Sequence, residues 1–125
     1  GDALTINTST IKLNDSFELE NGQKIILKEY VSNDIGQKIY YLVENKDKNN
    51  VYNMILKGCD DLGNEVEFYS SYEEFTNGLM KNQTEISEEA TTLTLTPYAV
   101  VFQKESGKMS NDYKQTGEEF TIKIK

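Results

Sequence analysis

Carboxylates are the side chains with which this 125-residue chain could do chemistry, because it contains no histidine and a single cysteine. Without histidine, His-containing catalytic triads, histidine general bases and most zinc and copper sites are excluded. Four pairs of acidic residues are adjacent in the sequence: Asp60-Asp61, Glu73-Glu74, Glu88-Glu89 and Glu118-Glu119. A glycosidase needs two carboxylates that face each other across a cleft, whereas neighbours on a strand point to opposite faces. We therefore interpret these pairs as solvated acidic surface, and we predict no catalytic residue, no cofactor and no enzyme activity.

The densest set of oxygen ligands surrounds Gly63. Its members are Asp60, Asp61, Asn64 and Glu65. Their spacing does not fit the calcium-binding loop of an EF-hand, in which acidic or amide residues alternate before the glycine. A hairpin turn is our interpretation of this segment. A weak surface calcium site formed by the same four residues is the alternative.

Tyrosine is the most abundant aromatic residue, with eight copies beside five phenylalanines and no tryptophan. Rings that could line a platform for a carbohydrate or a peptide belong to Tyr40, Tyr52, Tyr69, Tyr72, Tyr98 and Tyr113. Half-buried rings with hydrated hydroxyls are the commoner arrangement in a β-sandwich. The alternative is a binding surface with Tyr69, Tyr72 and Tyr98 as its ligand-binding candidates. On a regular strand Tyr69 and Tyr72 face opposite sides, which argues against that alternative.

The chain is acidic, with a formal charge of −8, and every basic residue is a lysine. Arginine is the usual bidentate reader of phosphate and guanine, so we predict that nucleic acid is not a partner. The sole cysteine, Cys59, excludes an intrachain disulfide and is interpreted as a small core residue. Residues 1–125 are predicted to form one domain.

The clearest strand signal is Thr91 to Phe102. Three threonines alternate with Leu93 and Leu95, which predicts a threonine face toward water and a leucine face toward a core. Pro97 has no N–H to donate, so it predicts a strand end, an edge or a bend. The segment Glu119 to Lys125 repeats the alternation with Phe120, Ile122 and Ile124 inward.

Period-two patterns recur upstream and are separated by turn signals. Asn21-Gly22 is the strongest hairpin signal, and Ser71 to Gly78 fits either a short helical turn or the continuation of a strand. Predicted inward sets are Phe17 and Leu19; Ile25, Leu27 and Tyr30; Ile39, Tyr41 and Val43; Tyr52, Met54 and Leu56; and Val66, Phe68 and Ser70. About eight to ten such strands predict an all-β fold, an immunoglobulin-like antiparallel β-sandwich.

The ending carries a family resemblance. Ala90 to Val100 followed by Gly117 to Ile124 resembles the C-terminal module of Gram-positive anti-sigma-factor-like membrane proteins, a domain of unknown function. The likeness covers mainly the last third of the chain, with weaker agreement from Phe17 to Glu44. It implies an immunoglobulin-like fold and an extracytoplasmic location behind a membrane anchor, and it implies no active site. Since the chain begins Gly-Asp and has no run of 18 apolar residues, we expect a fragment of a longer membrane-anchored protein.

Two functions follow as hypotheses, and an enzyme that uses two facing carboxylates is a third. The first is a non-enzymatic extracytoplasmic module that senses, spaces or binds a protein in the cell envelope. The second is a carbohydrate-binding sandwich, calcium-assisted or not, that recognises a cell-wall glycan through exposed tyrosines.

Overall fold

The computed structural model describes residues 8–33, 35–46, 50–83, 85–103 and 113–125. Ten strands lie within these ranges, and the predicted all-β class is confirmed. They are β1 Ser9–Lys12, β2 Ser16–Glu18, β3 Lys24–Ser32, β4 Gln37–Glu44, β5 Asn50–Asp60, β6 Glu65–Glu74, β7 Asn77–Asn82, β8 Thr92–Gln103, β9 Lys114–Gln115 and β10 Phe120–Lys123. None of the described residues belongs to a helix able to cross a membrane.

All strand pairs are antiparallel, and hydrogen bonds connect the strands in the order β1-β3-β4-β7-β6-β5-β8-β10. Two short strands lie beside this path, because β2 pairs with β3 and β9 pairs with β8. The β2–β3 hairpin turns at Asn21-Gly22 as predicted, with Gly22 at a φ of 90°. Glycine is suited to that left-handed conformation because it has no Cβ to clash with the backbone.

β6 joins two parts of the sheet because it changes partners along its length. Residues Glu65 to Tyr69 pair with β5, and residues Phe68 to Glu74 pair with β7. The register against β7 shifts between Ser70 and Tyr72, so Ser71 is the extra residue of a β-bulge. The segment from Ser71 onward therefore continues the strand, and the helical-turn alternative is wrong.

The core is formed by one face of nearly every strand. The predicted inward residues Ile25, Leu27, Ile39, Leu56 and Phe68 are fully buried. Tyr30 is buried although its position has the opposite parity from Leu27, because a register shift between Leu27 and Glu29 adds one residue to β3. Most of the inward set is confirmed in this way.

The prediction that Cys59 is a small core residue is wrong, because Cys59 is exposed. It lies between the inward-facing Gly58 and Asp60 on β5, so the alternation of the strand directs it outward. Gly58 has no room for a side chain, because a Cβ there would lie 1.7 Å from the carbonyl oxygen of Thr94.

Pro97 lies inside a continuous strand and does not end it. β8 pairs with β5 from Leu93 to Gln103 without a register shift. On its other edge β8 pairs with β10 up to Leu95 and with β9 from Tyr98. Pro97 thus occupies the position where the partner on that edge changes, and its carbonyl accepts a hydrogen bond from the N–H of Thr116 at 3.0 Å.

The strand path folds back on itself, so that its two ends meet. The rings of Tyr30 on β3 and Phe68 on β6 pack edge to face at 6.4 Å, although two strands separate β3 from β6 along the path. The Thr116 hydroxyl donates a hydrogen bond to the carbonyl of Glu18 on β2. Packed strands with a shared apolar interior are consistent with a β-sandwich. The immunoglobulin-like strand arrangement stays a prediction.

The sequence also predicts a first strand from Leu4 to Leu13, a solvated polar loop at 45–50 and a long hairpin connection at 103–118. These three predictions fall partly outside the described residues.

Candidate functional site: an outer face of tyrosines and lysines

The exposed tyrosines are brought together by cross-strand register. Residues directly opposite on antiparallel strands share a face, with Cβ atoms about 5 Å apart. Tyr40 on β4 lies opposite Leu79 on β7, and Leu79 lies opposite Tyr72 on β6. The exposed fractions of Tyr40 and Tyr72 are 40% and 60%. These three residues form one row on the outer face.

A second row runs parallel to the first and crosses five strands. Lys38 on β4 is opposite Lys81 on β7, and Lys81 is opposite Tyr69 on β6. Tyr69 is in turn opposite Ile55 on β5, and Ile55 is opposite Tyr98 on β8. Tyr69 has 38% of its surface exposed, and Tyr98 is half-buried.

The two rows are adjacent because Leu79 and Lys81 are two residues apart on β7 and therefore face the same side. We call Tyr40, Tyr69, Tyr72 and Tyr98 the tyrosine face. The bulge at Ser71 adds one residue between Tyr69 and Tyr72, so both rings point outward. The expectation that Tyr69 and Tyr72 face opposite sides is therefore wrong, because it assumed a regular strand.

A lysine contacts the far end of this face. The Nζ atom of Lys57 lies 5.9 Å from the ring centroid of Tyr98, which is within the range of a cation–π interaction. Glu67 lies directly opposite Lys57 on β6. Tyr98 is thus the member of the tyrosine face that lies next to the charged pair Lys57 and Glu67.

Tyr52 does not belong to this surface. It is 7% exposed, and its hydroxyl donates a hydrogen bond to the carboxylate of Glu73 between the layers. The buried hydroxyl of Tyr41 donates to the same Glu73 oxygen at 3.3 Å, and Lys46 forms an ion pair with the other oxygen. The ammonium of Lys46 also lies 5.2 Å from the ring centroid of Tyr52.

This cluster corrects the interpretation of Glu73 as solvated surface. Burial raises the pKa of Tyr52 to about 12, and burial followed by the neighbouring Tyr52 raises the pKa of Tyr41 further. Both hydroxyls therefore stay protonated at neutral pH and act as donors to Glu73. Sequence reasoning missed the cluster because Glu73 turns inward only as a consequence of the bulge at Ser71.

The predicted metal ligands lie in the β5–β6 turn, where they hold backbone. Asp60 is only 5% exposed, so it too is not solvated surface. One of its carboxylate oxygens accepts hydrogen bonds from the N–H groups of Leu62 and Asn64 at 2.9 and 2.8 Å. The other accepts from the Asn64 side chain at 3.0 Å. Desolvation raises the pKa of Asp60, but these hydrogen bonds outweigh it and keep that pKa below its ordinary value.

Asp61 holds the start of β8 against the same turn. Its carboxylate accepts hydrogen bonds from the N–H and the hydroxyl of Thr91 at 2.8 and 2.7 Å, and from the N–H of Thr92 at 3.3 Å. The Thr91 bonds lower the pKa of Asp61 to about 2. The predicted hairpin turn is confirmed. The calcium site stays a prediction, and a calcium ion would have to compete with these donors for the oxygens of Asp60 and Asp61.

Glu65, the fourth predicted ligand, is exposed at the start of β6, opposite Cys59. Within the described ranges no group of three or more carboxylate, cysteine or histidine side chains is placed to hold a metal ion.

A polar groove of about 820 Å³ opens at one end of the molecule, between the turn that contains Gly36 and the residues that follow β7. Two of its lining side chains, Gln37 and Asn82, bind each other at 2.8 Å. The Asn82 oxygen also accepts a hydrogen bond from the Gln37 N–H at 3.2 Å. These amides therefore join β4 to the end of β7.

No curated protein and no solved structure matches the chain. The sequence profile of a family of unknown function matches residues 8–124. The predicted likeness to a domain of unknown function is thus confirmed at that level. From this match over nearly its whole length, the chain belongs to DUF5643, a family of unknown function.

Proposed function

We propose that the chain is a non-enzymatic binding module of a cell-envelope protein and that it binds through the tyrosine face. The observation that carries the proposal is the alignment of Tyr40, Tyr69, Tyr72 and Tyr98 on one outer surface by the bulge at Ser71. Tyrosine supplies a large apolar surface with a polar tip and is enriched where proteins bind partners. An extracytoplasmic position behind a membrane anchor, as in anti-sigma-factor-like proteins, is part of the proposal.

The buried chemistry supports a binding role rather than catalysis. Glu73 is surrounded by two tyrosine hydroxyls and a lysine ammonium. A hydrolase of glycosidic bonds would need a second carboxylate facing it across a cleft. Both oxygens of the Glu73 carboxylate are occupied by these three donors. The cluster instead joins β4, β5 and β6 across the interior.

The test is sedimentation of the purified chain with insoluble cell walls from a Gram-positive bacterium. We expect the wild type to co-sediment with the walls and the double variant Tyr69→Ser/Tyr72→Ser to bind at least about tenfold more weakly. Tenfold corresponds to about 1.4 kcal/mol, and a tyrosine that becomes buried against a ligand can contribute that much to binding. The matched control is Leu62→Ser/Ile35→Ser, which removes two exposed apolar side chains from the β5–β6 and β3–β4 turns. Equal binding by wild type and the tyrosine variant, or release of soluble wall fragments, would contradict the proposal.

A carbohydrate ligand is the second candidate, and the position of the tyrosine face favours it. β4 and β7 are hydrogen-bonded on both sides, so around Tyr40 the face offers side chains and no free backbone to an extended peptide. Protease treatment of the walls separates the two ligands. Binding that survives the treatment indicates a glycan, and binding that disappears indicates a protein. Repeating the assay with and without calcium tests the predicted ion at Asp60 and Asp61.

A further inference from the structure

Two lysines face each other directly beside the tyrosine face. Lys38 and Lys81 are register partners on β4 and β7, so their Cβ atoms are about 5 Å apart. Like charges in this position destabilise a sheet. Neither lysine has an ion-pair partner in the part of the chain that the structure describes.

The described acidic residues on this face are only diagonal neighbours of the pair. Glu29 on β3 is opposite Tyr40, so it is diagonal to Lys38, at roughly 7 to 8 Å. Glu67 on β6 is opposite Lys57 and two residues from Tyr69, so it is diagonal to Lys81 in the same way. Within the described residues, two ammonium groups without an ion-pair partner therefore lie at one end of a row of tyrosines, on a protein whose formal charge is −8.

Proteins break the rules of sheet stability chiefly at functional sites. Two like charges in register, such as Lys38 and Lys81, therefore point to a functional constraint. Two adjacent ammonium groups provide up to six N–H donors for one anionic group. Next to them, the rings of Tyr69 and Tyr72 offer faces that suit the C–H groups of a sugar ring, while the Tyr72 hydroxyl donates a hydrogen bond to Glu74 at 3.3 Å.

We propose that Lys38 and Lys81 bind the anionic group of an acidic glycan whose sugar rings lie on the tyrosine face. The shared chemistry is a carboxylate or a phosphate carried by a sugar polymer. This inference rests on the proposed binding function and specifies its ligand.

The experiment uses matched pairs of polymers that differ only in charge. The carboxylate pair is polygalacturonate and its methyl ester, and the phosphate pair is phosphorylated dextran and dextran. We expect the wild-type chain to bind the charged member of at least one pair about tenfold more tightly than the neutral member. A tenfold difference is about 1.4 kcal/mol, which one hydrogen bond to a charged group can supply. Binding to the charged member should weaken as NaCl is raised, because salt screens exposed charges.

The variant Lys38→Gln/Lys81→Gln should lose that preference and most of the salt dependence, while its residual binding to the neutral polymer stays unchanged. The matched control is Lys114→Gln/Lys123→Gln, which removes two exposed lysines from β9 and β10 and changes the net charge equally. The control should bind like the wild type.

Three results would overturn the inference. The first is equal affinity for the charged and neutral members of both pairs, which would leave glycan binding itself intact. The second is equal loss in both lysine variants, which would show an effect of net charge alone. The third is binding of poly-glutamate as tight as that of the acidic glycans, which would assign the pair to acidic peptides. If the proposed function itself is wrong, the chain binds neither the cell walls nor any of the polymers, which distinguishes that failure from the three results above.

Discussion

Single carboxylates in this chain stabilise its connections. Asp60 closes the β5–β6 turn through three hydrogen bonds, and Asp61 ties that turn to Thr91 before β8. The turn itself was predictable, because aspartate followed by glycine and asparagine favours side-chain bonds to nearby backbone. The partner of Asp61 was not predictable, since Thr91 lies thirty residues away in the sequence.

Replacing Asp61 by Asn should remove a pH dependence of stability. The pKa of Asp61 is lowered in the folded chain from an ordinary value of 3.8 to about 2. A carboxylate with a lowered pKa stabilises the fold above its unfolded pKa, and this stabilisation disappears as the pH falls through the folded value. The wild type should therefore unfold at higher urea concentrations than Asp61→Asn at neutral pH, and the gap should close between about pH 4 and pH 2.

Urea unfolding followed by circular dichroism across this pH range measures the gap. Glu88→Gln serves as the control, because Glu88 is an exposed carboxylate in a turn, and it should follow the wild type throughout. A gap between wild type and Asp61→Asn that stays constant down to pH 2 would contradict the prediction.

At the scale of strands, alternation predicted most inward residues and failed where a residue is inserted. Ile39, Tyr41 and Val43 on β4 follow the period of two and are buried as expected. β6 departs from it at Ser71, and this one residue decides the placement of both Tyr72 and Glu73. No residue type marks the position, because Ser70-Ser71 is compatible with a regular strand. The candidate residues Tyr69, Tyr72 and Tyr98 were thus visible in the sequence, whereas their common face was not.

Deletion of Ser71 should regularise β6 without moving the tyrosines. Tyr72 would then follow Ser70 directly and still pair with Leu79, as it does across the bulge. We expect the free energy of unfolding to change by less than about 1 kcal/mol, and nuclear Overhauser effects between the Tyr72 ring and the Leu79 methyls to persist. Because residues 70 and 71 are both serine, deleting either one gives the same sequence.

Deletion of Glu67 is the matched control. Glu67 lies in the regular part of β6, opposite Lys57, so its loss shifts the register by one residue and turns inward side chains outward. That variant should not fold. Loss of the Tyr72–Leu79 contact in the Ser71 deletion would show that Ser71 is not the extra residue that β6 accommodates in the bulge.

At the scale of the whole molecule, the sequence predicted an all-β chain but not the order of its strands. Period-two patterns specify which face of a strand is buried, and they leave open which strand is its neighbour. The meeting of β2 with the segment before β10 depends on Gly117. A Cβ atom at Gly117 would lie 2.8 Å from the Cβ of Phe17 and 2.9 Å from the Cγ of Pro97. This contact joins opposite ends of the strand path.

Because the two ends of the path pack together, we expect the chain to unfold in one transition. Gly117→Ala should destabilise it by about 1 to 3 kcal/mol, the usual cost of adding a methyl group to a tightly packed site. The comparison is Gly36→Ala, whose Cβ would lie 3.7 Å from the nearest atom, at ordinary contact distance. Far-ultraviolet circular dichroism and tyrosine fluorescence should give the same midpoint in each chain, since a cooperative domain loses its sheet and its core together. If fluorescence and circular dichroism separate in Gly117→Ala, the two ends of the sheet unfold independently, and residues 1–125 do not act as one domain.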